Sequence, residues 1–126
     1  MKKIIRFLPS ILWMFFIFYL SSQQTTGIGG NSYWWRFFIL KSFHIIEFAI
    51  LAILLFFAIN NYNHSLFVGL IYAFSDEYHQ MFTAGRNATL RDVFFDLSGL
   101  FLGLFFLNLL LKISWIKNFV LQKKIN

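Results

Sequence analysis

Cysteine is absent from the 126-residue sequence, and proline occurs only once. Without cysteine, the chain has neither a disulfide framework nor a zinc–thiolate site. Charged residues are also scarce, at 13% against about 25% in typical soluble proteins. Apolar residues reach 59% and aromatic residues 22%, which is more apolar surface than a soluble domain of this size can bury. The composition excludes an ordinary soluble domain, a disordered tail and a disulfide-rich secreted miniprotein, and it indicates a membrane protein.

The charges that are present are unevenly distributed along the chain. The net charge is +6, which in a soluble protein would suggest nucleic-acid binding. Most of the basic residues, however, lie near the two termini: Lys2, Lys3, Arg6, Lys112, Lys117, Lys123 and Lys124. This distribution is typical of cytoplasmic segments beside anionic lipid. We therefore predict the lipid bilayer as a partner and no nucleic acid.

Four segments are candidates for membrane spans, which need about 20 mostly apolar residues. The predicted spans are about 5–21, 42–59, 65–82 and 92–111. The third is the weakest because its second half is polar. The first resembles a signal peptide, but no small-residue cleavage site follows it, so we interpret it as an uncleaved anchor.

Lysine and arginine counts in the predicted loops place both termini in the cytoplasm. The tail, residues 112–126, is weakly amphipathic and is predicted to lie in the membrane interface. The sequence thus predicts a single domain, residues 1–126, with an all-α fold. Its architecture would be an integral membrane four-helix bundle, multi-pass in the cell membrane.

In this topology, polar residues from several helix ends meet on the outer side of the membrane. Side chains three and four positions apart share a helix face, and carboxylates in a bilayer are costly unless they face protein or water. We therefore predict one polar cluster. Its members are Ser21, Ser22, Gln23, Lys41, His44, Glu47, Asp76, Glu77, His79, Gln80, Arg86, Arg91, Asp92 and Asp96.

Three motifs in this cluster resemble the VanZ-like family of small membrane proteins, over roughly residues 8–106. The motifs are Lys41-x-x-His44-x-x-Glu47-Phe48, Asp76-Glu77-x-x-Gln80-x-Phe82-x-x-Gly85-Arg86 and Asp92-x-x-x-Asp96-x-x-Gly99. The sequence departs from the family pattern at Ala84, where proline is common, and at Asp96, where asparagine is usual. The second departure adds a negative charge that can tighten cation binding.

The resemblance implies a role in the cell envelope. The family's namesake is linked to low-level resistance to teicoplanin, a glycopeptide that binds cell-wall precursors outside the membrane. An outward polar cluster fits such a role. The resemblance does not decide between an enzyme and a binding protein, and it leaves the oligomeric state open.

Our first hypothesis is that the cluster binds or modifies a lipid-linked envelope substrate. We assign general acid–base catalysis to Glu77, Asp76, His44 and Asp92. We assign substrate binding to Lys41, Gln80, Arg86, Glu47 and Asp96. No metal-binding motif is present, so we predict no cofactor, with a divalent cation on the carboxylates as the alternative.

Two other functions fit the same residues. A small proton-coupled transporter would use the intramembrane Glu47 and Asp76. A structural or assembly protein would use the cluster to fix helix register without catalysis. The spacing Gly99-x-x-x-Gly103 predicts close helix packing rather than chemistry.

Overall fold

In the computed structural model of the chain, the described residues are 2–23, 33–83 and 90–125. Within them the fold is all-α, as predicted, and contains no strand. Five helices follow in order: α1 (Lys2–Ser21), α2 (Tyr33–Ile59), α3 (Tyr62–Gln80), α4 (Leu90–Leu111) and α5 (Ser114–Ile125).

Three of these helices, α1, α2 and α4, are long and apolar enough to cross a membrane. The predicted third span does form a helix, α3, and its 19 residues give it nearly the length of a span. It is less apolar because Asp76, Glu77, His79 and Gln80 fall in its last turns. The described helices therefore support a membrane protein with three candidate spans.

The starts of α2 and α3 both differ from the sequence prediction. Helix α2 begins at Tyr33, well before Ser42, because the aromatic residues that follow Tyr33 continue the helix rather than closing a loop. The turn before α3 is shorter than predicted and consists of Asn60 and Asn61. Asn60 adopts a left-handed backbone with φ 62°, which asparagine tolerates better than most residues. The Asn61 side chain then accepts from the His64 backbone N–H at 2.9 Å and caps α3.

Among the described helices, α2 and α4 form the most extensive packing. Gly99 and Gly103 lie against the backbone of α2. A Cβ atom at either position would collide with a carbonyl oxygen, that of Ile45 or of Ala49 respectively. The two glycines thus allow a close backbone approach, as their spacing predicts.

Helix α1 is attached to its neighbours by two hydrogen bonds to backbone carbonyls. The indole N–H of Trp13 donates to the carbonyl of Glu47 in α2 at 2.9 Å. The hydroxyl of Tyr72 in α3 donates to the carbonyl of Met14 at 2.5 Å. These bonds connect the helices beside an apolar core that includes Ile17 and Phe48.

The antiparallel arrangement gives the molecule two chemically different ends. We call the end that contains Ser21, His44, Asp76 and Asp96 the polar end. We call the end where Arg6 of α1 lies near Lys124 of α5 the terminal end. The faces between them expose large apolar side chains, as expected for a surface in contact with lipid.

Candidate functional site

A hydrogen-bonded network connects α1 to α3 at the polar end. The Ser21 hydroxyl donates to Asp76 Oδ1 at 2.6 Å. The Gln80 amide donates to Asp76 Oδ2 at 3.3 Å and to Ser21 Oγ at 3.2 Å. Asp76 and Gln80 lie one turn apart on α3, so both face α1. Each oxygen of a wholly buried carboxylate thus accepts a hydrogen bond.

A second contact connects α2 to α4. His44 Nδ1 lies 2.9 Å from Asp96 Oδ1, and both side chains are buried. When Nδ1 carries the proton it donates to the carboxylate, and the carboxylate then fixes the orientation of the ring. Within the described part of the chain, Asp96 Oδ2 has no hydrogen-bond partner.

The two contacts lie side by side. His44, Asp76 and Asp96 each offer a ligand atom, and these three atoms lie within 4.8 Å of one another. One imidazole and two carboxylates are suitable donors for a divalent cation such as manganese or magnesium. This trio is therefore where the described residues would hold a cation. The predicted absence of a cofactor stays a prediction.

Basic residues lie beside this buried group, in the third turn of α2 and the first turn of α4. Lys41 forms an ion pair with Asp92. The Lys41 ammonium lies 5.5 Å from the centroid of the Phe37 ring, and the Arg91 guanidinium lies 5.4 Å from the same centroid. Both distances allow a cation–π interaction. We call Lys41 and Arg91 the cationic rim.

The remaining predicted site residues differ in position. Glu77 is buried on α3, within electrostatic range of Asp96. Glu47 is half-buried on α2, within electrostatic range of Tyr72. Arg86 lies outside the described residues. The structure therefore brings the described candidates together as the network of Ser21, Asp76 and Gln80, the pair His44–Asp96 and the ion pair Lys41–Asp92. That all of them form one functional site stays a prediction.

Tyr72 was not among the site residues predicted from the sequence. Its hydroxyl donates a hydrogen bond to α1, and the side chain lies within electrostatic range of Asp76, Glu47 and Asp96. The signal was present in the sequence, because Tyr72 precedes Asp76 by four positions and therefore shares its helix face.

A family model described as VanZ/LLP1 matches residues 7–112, which is most of the chain. The chain belongs to the VanZ-like family. All three motifs of the polar end fall inside the matched region. Each motif supplies one member of the trio His44, Asp76 and Asp96, whose ligand atoms lie close together. No curated protein and no solved structure matches the chain.

Proposed function

We propose that this VanZ-like protein is a cell-envelope membrane protein that binds or modifies a lipid-linked, phosphate-bearing substrate at its polar end. The observation that supports this most directly is the close buried group of His44, Asp76 and Asp96 beside the cationic rim. Ionisable side chains inside a membrane protein are costly, and they commonly mark a functional site.

The proposal includes a four-helix bundle in which α3 is the fourth span. Its polar side chains, including Asp76 and Gln80, face the other helices, while Phe67, Ile71 and Phe74 are exposed on the opposite face. A helix with this division can cross a bilayer, because only its apolar face meets lipid.

We further propose that the polar end faces the outside and that both termini are cytoplasmic. The basic residues at the terminal end support this orientation through the positive-inside rule. Because the chain has no cysteine, single cysteines introduced at Ser22 and Lys123 would report their side of the membrane. A membrane-impermeant maleimide should label Ser22→Cys in intact cells and Lys123→Cys only after lysis. The reverse labelling would overturn the orientation.

The cationic rim is suited to holding the phosphate of such a substrate. Arginine and lysine bind phosphate through charge-assisted hydrogen bonds. Lys41 and Arg91 contact a common ring, Phe37, so their charges lie close together. Arg86, in the segment that precedes α4, is the third cation that we assign to this role. The hydrocarbon part of the substrate would remain in the surrounding lipid.

The buried group beneath the rim supplies acid–base chemistry in this proposal. His44 is oriented by Asp96 and is the residue that we assign to proton transfer with the substrate. Asp76, Glu77 and Asp92 are the carboxylates assigned to the same chemistry. Detection of a modified lipid after incubation would establish turnover, whereas retention of unmodified lipid would establish binding.

The proposal is tested by teicoplanin susceptibility in cells that lack the protein. Complementation with the wild type should restore growth at low teicoplanin concentrations, whereas His44→Gln, Glu77→Ala and Arg86→Ala should not. Membrane abundance is measured in parallel and should be unchanged. Variants that lose abundance together with resistance would instead favour a structural role for the polar end.

A direct assay uses the purified protein in nanodiscs with a polyprenyl pyrophosphate as the probe. Wild type should retain the lipid, and Lys41→Gln should retain several-fold less. Lys112→Gln, which removes a charge outside the polar end, is the matched control. Equal retention by all three proteins would overturn the proposed site.

A second candidate function is proton-coupled transport, favoured by the complete burial of Asp76 and Asp96 between helices. Transporter sites usually lie near the membrane midplane, whereas these residues belong to helix ends. Flux of amphiphiles driven by a pH gradient in liposomes would support transport. If the protein retains the polyprenyl pyrophosphate but produces no such flux, proton-coupled transport is excluded.

A further inference from the structure

A cavity of about 370 Å³ lies at the terminal end, far from the polar residues described above. Its lining combines two chemistries. Arg6 of α1 and Lys123 and Lys124 of α5 supply positive charge, whereas Leu54 and Phe57 of α2 and Phe119 of α5 supply apolar wall. A cavity with a cationic side and an apolar side is suited to an amphiphile with an anionic headgroup.

The cations of this cavity lack acidic neighbours within the described chain. None of the five acidic residues of the sequence lines the cavity, and no ion pair forms there among the described residues. The cations instead lie near one another. Partial burial, and next the charge of Arg6, lower the pKa of Lys124 below its usual value. An anion bound between them would remove this repulsion.

Lys124 is also held in position. Its ammonium donates to the Asn60 side chain, in the turn between α2 and α3. It lies 5.1 Å from the centroid of the Phe56 ring. These contacts fix one cation at the cavity before any ligand arrives, which reduces the entropy cost of binding.

Helix α5 has little other attachment to the rest of the protein. Within the described residues, its backbone packs only against α4, although it forms one side of the cavity opposite α1 and α2. A molecule in the cavity would therefore contact three helices, one of which is otherwise loosely held.

We propose that this cavity binds an anionic phospholipid, with its phosphate at Arg6, Lys123 and Lys124 and an acyl chain along Leu54, Phe57 and Phe119. The bilayer beside the helices supplies such a ligand at high local concentration. A free phosphate would satisfy the cations but would leave the apolar wall against water. The site is independent of the function proposed for the polar end.

The test is native mass spectrometry of the full-length protein released from nanodiscs that contain equal parts of dioleoyl phosphatidylglycerol and dioleoyl phosphatidylcholine. Wild type should retain phosphatidylglycerol in preference to phosphatidylcholine. The double variant Arg6→Gln/Lys124→Gln should retain about tenfold less phosphatidylglycerol, since each basic residue near the surface contributes to binding.

The matched control is Lys3→Gln/Lys117→Gln, which removes one charge from α1 and one from α5 without changing the cavity lining. It should retain phosphatidylglycerol within about twofold of wild type. An equal loss in both double variants would indicate general attraction to anionic lipid and would overturn the site.

Two further experiments test the cavity and the identity of its ligand separately. Val120→Phe fills the cavity and leaves every charge in place, so it should also reduce lipid retention, even if Arg6→Gln/Lys124→Gln does not fold. Inorganic phosphate, added to lipid-depleted protein, should not stabilise α5 against proteolysis, whereas phosphatidylglycerol should. Full retention by Val120→Phe, or protection by phosphate alone, would overturn the lipid assignment.

Discussion

His44 Nδ1 and Asp96 Oδ1 are 2.9 Å apart, although 52 positions separate the two residues in the chain. The contact connects α2 to α4 at the polar end, where both side chains are buried. A buried carboxylate that accepts from an imidazole both orients the ring and stabilises its protonated form. The same pair can therefore hold two helices together and serve the chemistry proposed for the site.

We predict that Asp96→Asn keeps the protein folded, whereas Asp96→Leu destabilises it. The asparagine oxygen can still accept from His44, but leucine leaves a buried ring N–H without that acceptor, at a cost of about 1–3 kcal/mol. Thermal unfolding in detergent measures the difference. Equal melting temperatures for the two variants would show that the contact contributes nothing to stability.

The glycines of the buried helix faces give a second prediction. Gly103→Ala should destabilise the protein by about 1–3 kcal/mol, because its Cβ would meet the rigid backbone of Ala49. Gly69→Ala is the matched control, since its Cβ would meet only the movable side chain of Leu100. The free energies of unfolding of both variants provide the comparison. A larger loss at Gly69 would contradict the close approach of α2 and α4.

The position of the polar end could be predicted from the sequence because spacing along a helix fixes which side chains share a face. The spacing of Lys41 and His44, and that of Asp92 and Asp96, each identified one helix face. The pairing across helices could not be predicted, because it depends on how α2 is rotated against α4. The spacing of Gly99 and Gly103 predicts a close helix contact, but it does not identify Ile45 and Ala49 as the residues of α2 that lie opposite them.

The start of α2 is a second feature that could not be predicted from the sequence. A polar, glycine-containing stretch precedes Trp34 and Trp35, and this composition favours a loop over the whole segment. The helix nevertheless begins at Tyr33, because aromatic residues suit a membrane interface in either conformation. The early start adds turns that bring Phe37 beside Lys41 and Arg91, so the cationic rim was only partly predictable.

The ion pair between Lys41 and Asp92 gives a third prediction. Lys41→Met should lower stability by about 1–3 kcal/mol, because it removes a charged partner from a nearly buried carboxylate. The exchanged variant Lys41→Asp/Asp92→Lys should recover part of that loss by restoring the pair. Retention of the polyprenyl pyrophosphate should remain low in the exchanged variant, because the cation has moved from α2 to α4. Recovery of lipid retention together with stability would contradict a substrate-binding role for Lys41.

The last prediction concerns metal content. We expect the purified protein to carry no stoichiometric divalent metal, because each of the three candidate ligand side chains already makes a hydrogen bond. Both oxygens of Asp76 accept hydrogen bonds from Ser21 and Gln80, and His44 lies against Asp96. A cation would have to displace these contacts to gain its coordination shell.

Elemental analysis after growth with added manganese, magnesium and zinc measures this content, and a chelator should leave the melting temperature unchanged. The prediction would be contradicted if wild type carried about one equivalent of metal and if the variants His44→Gln and Asp76→Asn both lost it. Asp92→Asn is the control, because Asp92 lies outside the trio that could hold a cation. Loss of metal in all three variants would point to a site built from the whole polar end rather than from His44, Asp76 and Asp96.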